Sequence, residues 1–173
     1  MKHRLTHLPT SAYSCHITLV ECLLAEPESD QTMEDTKRLL FVCVENANRS
    51  QMAEAFARLL GGENVNAYSA GSKPSGQVNP RAVEAMGELG YDLNSHRSVS
   101  LDALAEQEFD FVATMGCGDS CPWIRATVRQ DWDIPDPKDL PPDEFRVVRD
   151  MICEKVRNAL VTLGISPASI DLG

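Results

Sequence analysis

The sequence predicts an α/β protein, a three-layer sandwich with a four-stranded parallel sheet between helices. Three observations predict it. From Lys37 onward, short apolar runs of buried-strand length alternate with helix-forming stretches. Gly, Pro, Asn and Asp punctuate most of the boundaries between them. Strands that alternate with helices in this way imply a parallel sheet with helices on both faces.

The elements follow in order. Residues 38–43, Arg38-Leu39-Leu40-Phe41-Val42-Cys43, form the first strand. Residues 50–60 are rich in Ala, Leu, Met and Glu and form a helix ended by Gly61-Gly62. Residues 65–70 form the second strand, stopped by Gly71, and residues 72–76 a loop. Asn79 supplies an N-cap and Pro80 the first position of a helix running to Gly90. A short third helix is expected over 98–108, with Ser100 as its cap, and the third strand over 109–115. After the loop 116–122 comes a fourth strand at 128–132, a Pro-rich loop at 133–143, and a final helix at 145–163 ended by Gly164. With right-handed crossovers, the loops carrying Cys43, Cys117 and Asp136 all follow strands and share the sheet edge where such folds bind ligands.

Residues 1–36 lack a helical or strand period and turn acidic at Glu26-Pro27-Glu28-Ser29-Asp30, so a poorly ordered N-terminal extension is expected there. The folded domain is placed at 37–164 and a C-terminal tail at 165–173. Met33 offers a second start of translation just before the domain. A mildly apolar stretch at 17–25 is interrupted by Glu21 and is not expected to act as a signal peptide. No apolar run approaches the roughly 18 residues of a membrane span.

A chain of 173 residues suffices for one full core. A net charge of -10 disfavours duplex nucleic acid and anionic membranes as partners. Six cysteines, at 15, 22, 43, 117, 121 and 153, are not needed as staples at this length. Scattered cysteines of this kind serve burial, catalysis or redox work, and the cytoplasm is the expected compartment. Cys153 falls on the final helix and reads as core; Cys15 and Cys22 fall in the extension.

The chemistry concentrates at Cys43-Val44-Glu45-Asn46-Ala47-Asn48-Arg49-Ser50, between the first strand and the first helix. The N–H groups of Val44, Glu45, Asn46, Ala47 and Asn48 can curl around a tetrahedral oxyanion at the positive end of that helix. The same end favours an ionised nucleophile facing it. Arg49 can bind two oxygens in a forked pair, and Ser50 can donate a hydrogen bond to the Cys43 sulfur. Asn46 and Asn48 tolerate unusual backbone angles. Asp136 stands in Ile134-Pro135-Asp136-Pro137. It reads either as an Asp-Pro turn or as a proton donor to a departing oxygen. Cys117 and Cys121 read as redox thiols, as buried cysteines, or as metal ligands. A tetrahedral zinc site needs four ligands, and His96 is the only histidine of the folded region.

The stretch from Cys43 to Glu54 resembles the active-site segment of the low-molecular-weight protein tyrosine phosphatases, and within that superfamily the arsenate reductases. Tyr68-Ser69-Ala70-Gly71, Val78-Asn79-Pro80, Thr114-Met115-Gly116-Cys117-Gly118-Asp119, Asp133-Ile134-Pro135-Asp136-Pro137 and Phe145-Arg146-Val147-Val148-Arg149-Asp150 continue the likeness in order. The resemblance implies a low-molecular-weight phosphatase-like fold and arsenate reduction through a covalent adduct, with a phosphatase or small phosphate-ester hydrolase as the alternative. It implies Cys43 as nucleophile, Arg49 and the loop amides as binders of arsenate or phosphate, Ser50 as thiolate stabiliser and Asp136 as general acid. It implies Cys117 and Cys121 as resolving thiols, no tightly bound cofactor, and an external reductant that is thioredoxin or a small thiol. Asn46, Glu54, Ser69 and Asp92 fall where some arsenate reductases bind potassium.

Aromatics commonly follow Asp-Pro in the phosphatases; here Lys138-Asp139 follow, which favours a small inorganic oxyanion. A third reading, a non-catalytic anion-binding module, is disfavoured by the intact Cys43, Arg49 and Asp136 set. Glu45 places a negative charge in a loop meant for an anion, so its carboxylate must point away. His96-Arg97 reads as a solvated loop.

Overall fold

β1 (Lys37–Cys43) is the spine of the sheet: after the two basic residues that open it, its remaining five are hydrophobic or thiol. The computed structural model describes residues 36–116 and 124–172. The expected N-terminal extension, Cys117, Cys121 and Trp123 lie outside the described residues.

After β1 come α1 (Arg49–Gly61), β2 (Val65–Gly71), α2 (Pro80–Gly87), β3 (Glu108–Met115), β4 (Arg125–Asp131) and α3 (Pro142–Thr162). All strand pairs are parallel, in the order β2-β1-β3-β4. The chain steps from β1 outward to β2, then crosses back to β3 on the other side. That reversal opens a crevice at the carboxyl ends of β1 and β3. Cys43 lies there, in register with Gly71 of β2 and Met115 of β3.

The two-residue period of β1 sorts its side chains. Leu39, Phe41 and Cys43 face the cluster built by Met52, Phe56 and Leu60 of α1 and by Phe145, Val148, Ile152 and Val156 of α3. Phe41, Phe111 and Trp132 meet there, with ring centroids 5.8 Å apart for Phe41–Trp132 and 6.1 Å for Phe111–Trp132. Trp132 is therefore core. Cys153 is fully buried in the same cluster, and burial pushes its thiol pKa up. Leu40 and Val42 face the other way, with Phe109, Val112 and Ile124, under Leu101 and Leu104.

β4 starts at Arg125, before the expected 128, and α2 ends at Gly87, before the expected Gly90; one expected element differs in kind. No α-helix covers 98–108. Val99 is extended, its carbonyl taken by Gly71 N at 2.9 Å and its N–H by Asn46 Oδ1 at 2.8 Å. Helix can begin only after that, and β3 already starts at Glu108. Between them the chain makes a 3-10 turn at Leu101–Leu104, with Ser100 accepting from Asp102 N as its cap. α3 begins at Pro142, earlier than the expected 145. Proline is preorganised for the first helical turn, and Asp143 and Glu144 follow it at the positive end. Residues 165–172 lie against the domain: Ala168 N donates to Leu60 O at 2.8 Å, and Ile165, Ile170 and Leu172 pack on the core. Among the described residues no helix is long and apolar enough to cross a membrane.

Candidate active site

Five successive carbonyls are held on the outside of the loop that follows β1. Cys43 O, Val44 O, Glu45 O and Ala47 O accept from the N–H groups of Ser72 (3.2 Å), Lys73 (2.8 Å), Ser75 (2.9 Å) and Asn79 (3.0 Å). Asn46 O accepts from Gln51 Nε2 at 3.1 Å. A trans peptide points its N–H opposite to its C=O. The N–H groups of Val44, Glu45, Asn46, Ala47 and Asn48 therefore turn to the inside, which is how a nest for an oxyanion is made. Asn46 makes the required bend at φ 48°. The loop lies so close to the end of β2 that a Cβ on Gly71 would meet Val44 O at 2.6 Å and Asn46 N at 2.9 Å.

Cys43 is 3% exposed, and its Sγ lies 3.0 Å from Ser50 Oγ. The donor in that pair follows from Asn46. Val99 N–H can only donate, so Asn46 Oδ1 is its acceptor and Nδ2 faces the other way, to Ser50 Oγ and Ser69 Oγ, each at 2.9 Å. An amide nitrogen only donates. Ser50 therefore accepts from Asn46, and its own hydrogen is directed to Cys43. The result is a relay of donors, Asn46 to Ser50 to sulfur.

Arg49 is buried and starts α1. Its Nη1 donates to Ile134 O at 3.0 Å and its Nη2 to Asp136 Oδ2 at 3.1 Å. Gly116, at φ 70°, lets the guanidinium lie against the end of β3; a Cβ there would stand 2.9 Å from Nη1. The structure thus brings Cys43, Ser50, Arg49 and Asp136 together at one sheet edge. Val44 and Ala47 contribute main chain. Asn48 is buried with its Oδ1 the one unpartnered buried side-chain oxygen among the described residues, for which the surrounding contacts offer no reason. Glu45 does point away: its Oε1 lies 2.7 Å from Lys138 Nζ.

A layer behind the bowl was illegible as a solvated loop. Gln51 Nε2 donates to the carbonyls of Asn46 and Arg97, so Gln51 Oε1 faces His96 Nδ1 at 2.9 Å. His96 must then carry its proton on Nδ1. Its Nε2 accepts from Tyr91 Oη at 2.9 Å and faces Arg58 Nη1 at 3.4 Å. Burial, aided by Arg58, lowers the His96 pKa to about 4, so the ring is neutral. Its side chain is 4% exposed, not solvated.

The four residues named for potassium divide. Asn46, Ser69 and Glu54 come together, but Asn46 offers an N–H to Ser69 while both its oxygens are taken. Glu54 already pairs with Arg58, one turn along α1. Burial raises the Glu54 pKa, opposed by Ser69 and Arg58. Asp92 is spent on Asn94, accepting from its backbone N at 2.8 Å and its side-chain amide at 2.7 Å. So arranged, the set does not fit a potassium ion: the cation beside Glu54 is a guanidinium.

A cysteine at the floor of a main-chain oxyanion nest, flanked by a buried arginine and a facing carboxyl group, defines the class of α/β enzymes that attack a bound oxyanion through sulfur. The chain belongs to the low molecular weight phosphotyrosine protein phosphatase family, whose model matches residues 38–166. It is 40% identical over 127 residues to arsenate reductase 2 of Staphylococcus saprophyticus, covering 71% of this chain and 95% of that protein. It is 34% identical over 130 residues to the glutaredoxin arsenate reductase of Synechocystis sp., covering 73% and 98%. Among solved structures, an arsenate reductase in the phosphate binding state matches with TM-score 0.68 and 34% identity, over 74% of this chain and 99% of that one.

Proposed function

We propose that the protein reduces arsenate to arsenite in the cytoplasm, as a detoxifying arsenate reductase with Cys43 as nucleophile. The observation that carries the mechanism is the donor relay onto the Cys43 sulfur inside a nest of five inward N–H groups. The bowl holds three oxygens of arsenate. The sulfur attacks arsenic, an S–As bond forms, and the opposite As–O bond breaks. Asp136 gives its proton to the departing oxygen, which leaves as water. In the free protein Asp136 engages Arg49; an oxyanion that takes the arginine's fork releases the carboxyl group to face the leaving oxygen.

A second thiolate then attacks the Cys43 sulfur. An S–S bond forms, the S–As bond breaks, and its electron pair stays on arsenic, which leaves as arsenite. Two thiols have supplied the two electrons, and an external thiol must reopen the disulfide. Cys117 is the proposed resolving thiol, with Cys121 as its partner for a disulfide that thioredoxin opens. A small thiol acting directly on the adduct is the competing source. The glutaredoxin-linked name of one relative keeps that source in play.

The test is arsenate-dependent NADPH oxidation with thioredoxin and its reductase, then with glutathione and glutaredoxin, beside hydrolysis of an aryl phosphate. Cys43→Ser should abolish arsenate turnover in both systems, and any surviving turnover removes the mechanism. Cys117→Ser should abolish only the thioredoxin-coupled rate. If it abolishes neither, Cys117 is not the resolving thiol.

A further inference from the structure

The carboxylate that has no place in an anion bowl is half of a second tie between the two loops of the site. Glu45 is fixed through its main chain, where its carbonyl accepts from Ser75 N and from Ser98 Oγ, each at 2.9 Å. Its side chain reaches across to Lys138 Nζ at 2.7 Å. Lys138 in turn donates its backbone N–H to Asp136 Oδ1 at 3.2 Å, while Asp136 Oδ2 takes Arg49 at 3.1 Å. The nucleophile loop and the acid loop are thus tied twice. The inner tie, Arg49–Asp136, involves an arginine side chain only 8% exposed; the outer, Glu45–Lys138, joins side chains 36% and 52% exposed.

We propose that the Glu45–Lys138 pair is a specificity-determining strap across the mouth of the bowl, which admits a small inorganic oxyanion and disfavours a phosphate ester carrying a ring or peptide. This rests on the reading of Cys43, Arg49 and Asp136 as the reacting set. The inner tie has to open for any oxyanion, because the oxyanion needs the same guanidinium. The outer tie has no reason to open for arsenate, whose leaving group is a single oxygen. An ester places its bulk on that leaving oxygen, opposite Cys43 and beside Asp136, and the bulk must pass between the two loops. Among the described residues the rim also offers it no ring to stack on. Among the described residues Phe41, Phe56, Phe111, Trp132 and Phe145 are buried in the core, and Tyr68 packs on Phe109 across the sheet.

Lys138 serves two further ends. It neutralises Glu45, which would otherwise repel a dianion in a protein of net charge -10. It also holds Asp136 in place through its backbone, as a positioning residue. The hydrogen bond to Glu45 is the largest cause of the raised Lys138 pKa, so the ammonium stays charged across the working range.

The experiment compares kcat/KM for arsenate with kcat/KM for p-nitrophenyl phosphate in wild type, Lys138→Ala, Glu45→Ala and the exchanged pair Glu45→Lys with Lys138→Glu. Each single variant should shift the ratio at least tenfold toward the aryl ester, mainly through a lower KM for the ester. Lys138→Ala should also raise the arsenate KM severalfold, because Glu45 is then unneutralised. The exchanged pair should return the ratio to within about threefold of wild type. The shift should shrink at 1 M salt, where the screening length is about 3 Å. Single variants with an unchanged ratio, or an exchanged pair no better than its parents, would overturn the strap. A wild type that turns over no arsenate but hydrolyses the ester would instead overturn the arsenate reading, and the ester KM of the single variants would still decide the strap.

Discussion

The two loops that meet at the site are built in opposite ways. The nucleophile loop is buried from Asn46 onward, its carbonyls each fixed by a donor from 72–79 or α1, and its shape enforced by Gly71 at its back. The acid loop is exposed at Asp136, whose side chain is 51% accessible, and is held largely by side chains: two ion pairs, Arg49 on Ile134 O, and Arg81 on Lys138 O and Leu140 O. One loop is preorganised before substrate arrives, and the other has to rearrange when it does. A nest must be rigid to stabilise charge without reorganising. A proton donor that shares its arginine with the substrate must be able to let go. Substitutions in the acid loop should therefore change activity without stability, and those behind the bowl should change both.

The largest effect expected is at Asp136. Asp136→Asn should lower kcat for arsenate about 10²–10⁴-fold, the range for loss of a general acid. The melting temperature should barely move, because an ion pair with one half-exposed partner contributes at most about 1 kcal/mol. Binding of phosphate as a competitive inhibitor should be unchanged or tighter in Asp136→Ala, since the rival for Arg49 is gone. Isothermal titration of phosphate checks this, and weaker binding in the variant would show that Asp136 supports the bowl and does not compete for it.

Gly71→Ala is the matching break on the rigid side. The added methyl would sit 2.6 Å from a carbonyl oxygen that is itself pinned. Overpacking of this kind costs about 1–3 kcal/mol, visible as a lower urea midpoint, and the displaced loop should lose arsenate turnover as well. A variant with normal turnover at reduced stability would mean that the bowl tolerates more movement than its hydrogen bonds suggest.

What the sequence made legible divides along the same line. The strands, α1, the cap at Asn79 and the oxyanion loop are local patterns, set by apolar period, Gly and Pro punctuation and helix-start chemistry. Cys43, Arg49 and Ser50 are close in the chain, so their meeting could be read from spacing alone. Contacts between distant segments could not. Nothing near Glu45 announces Lys138, and nothing near His96 announces Gln51, because each pairing depends on which strand neighbours which. The 98–108 segment failed for the same reason: its helix-compatible residues were overruled by Gly71 and Asn46, which claim both polar groups of Val99.

His96 makes the rigid side testable by pH. Its pKa in the folded protein is about 4, below the ordinary 6.5. Between those values the unfolded chain binds the proton and the folded one does not. Stability from this group is therefore complete above about pH 6.5 and falls as pH drops toward 4, by on the order of 3 kcal/mol. Glu54, whose pKa is raised by burial, has the opposite slope: folded, it keeps its proton longer, so its share of stability is lost as pH rises through its folded-state pKa. Urea denaturation at pH 7 and pH 5 should show wild type losing more than His96→Asn. Equal losses in both proteins would mean that the ring protonates without cost.

The smallest expected effect is a null one, and it separates a fixed internal cation from a borrowed one. Arg58 stands on Glu54, and the oxygens of Asn46 are already engaged. Replacing sodium by potassium at constant ionic strength should then leave both the melting temperature and the arsenate KM of the wild type unchanged. Removing the guanidinium should reverse this. In Arg58→Gln the Glu54 side chain, 10% exposed, loses its counter-charge, and an uncompensated buried carboxylate is costly. That variant should be less stable than wild type and should recover part of the loss in potassium but not in sodium. A potassium-specific rise in the wild-type melting temperature would show that Arg58 moves aside for the ion, and that the rear of the bowl is less rigid than its contacts make it.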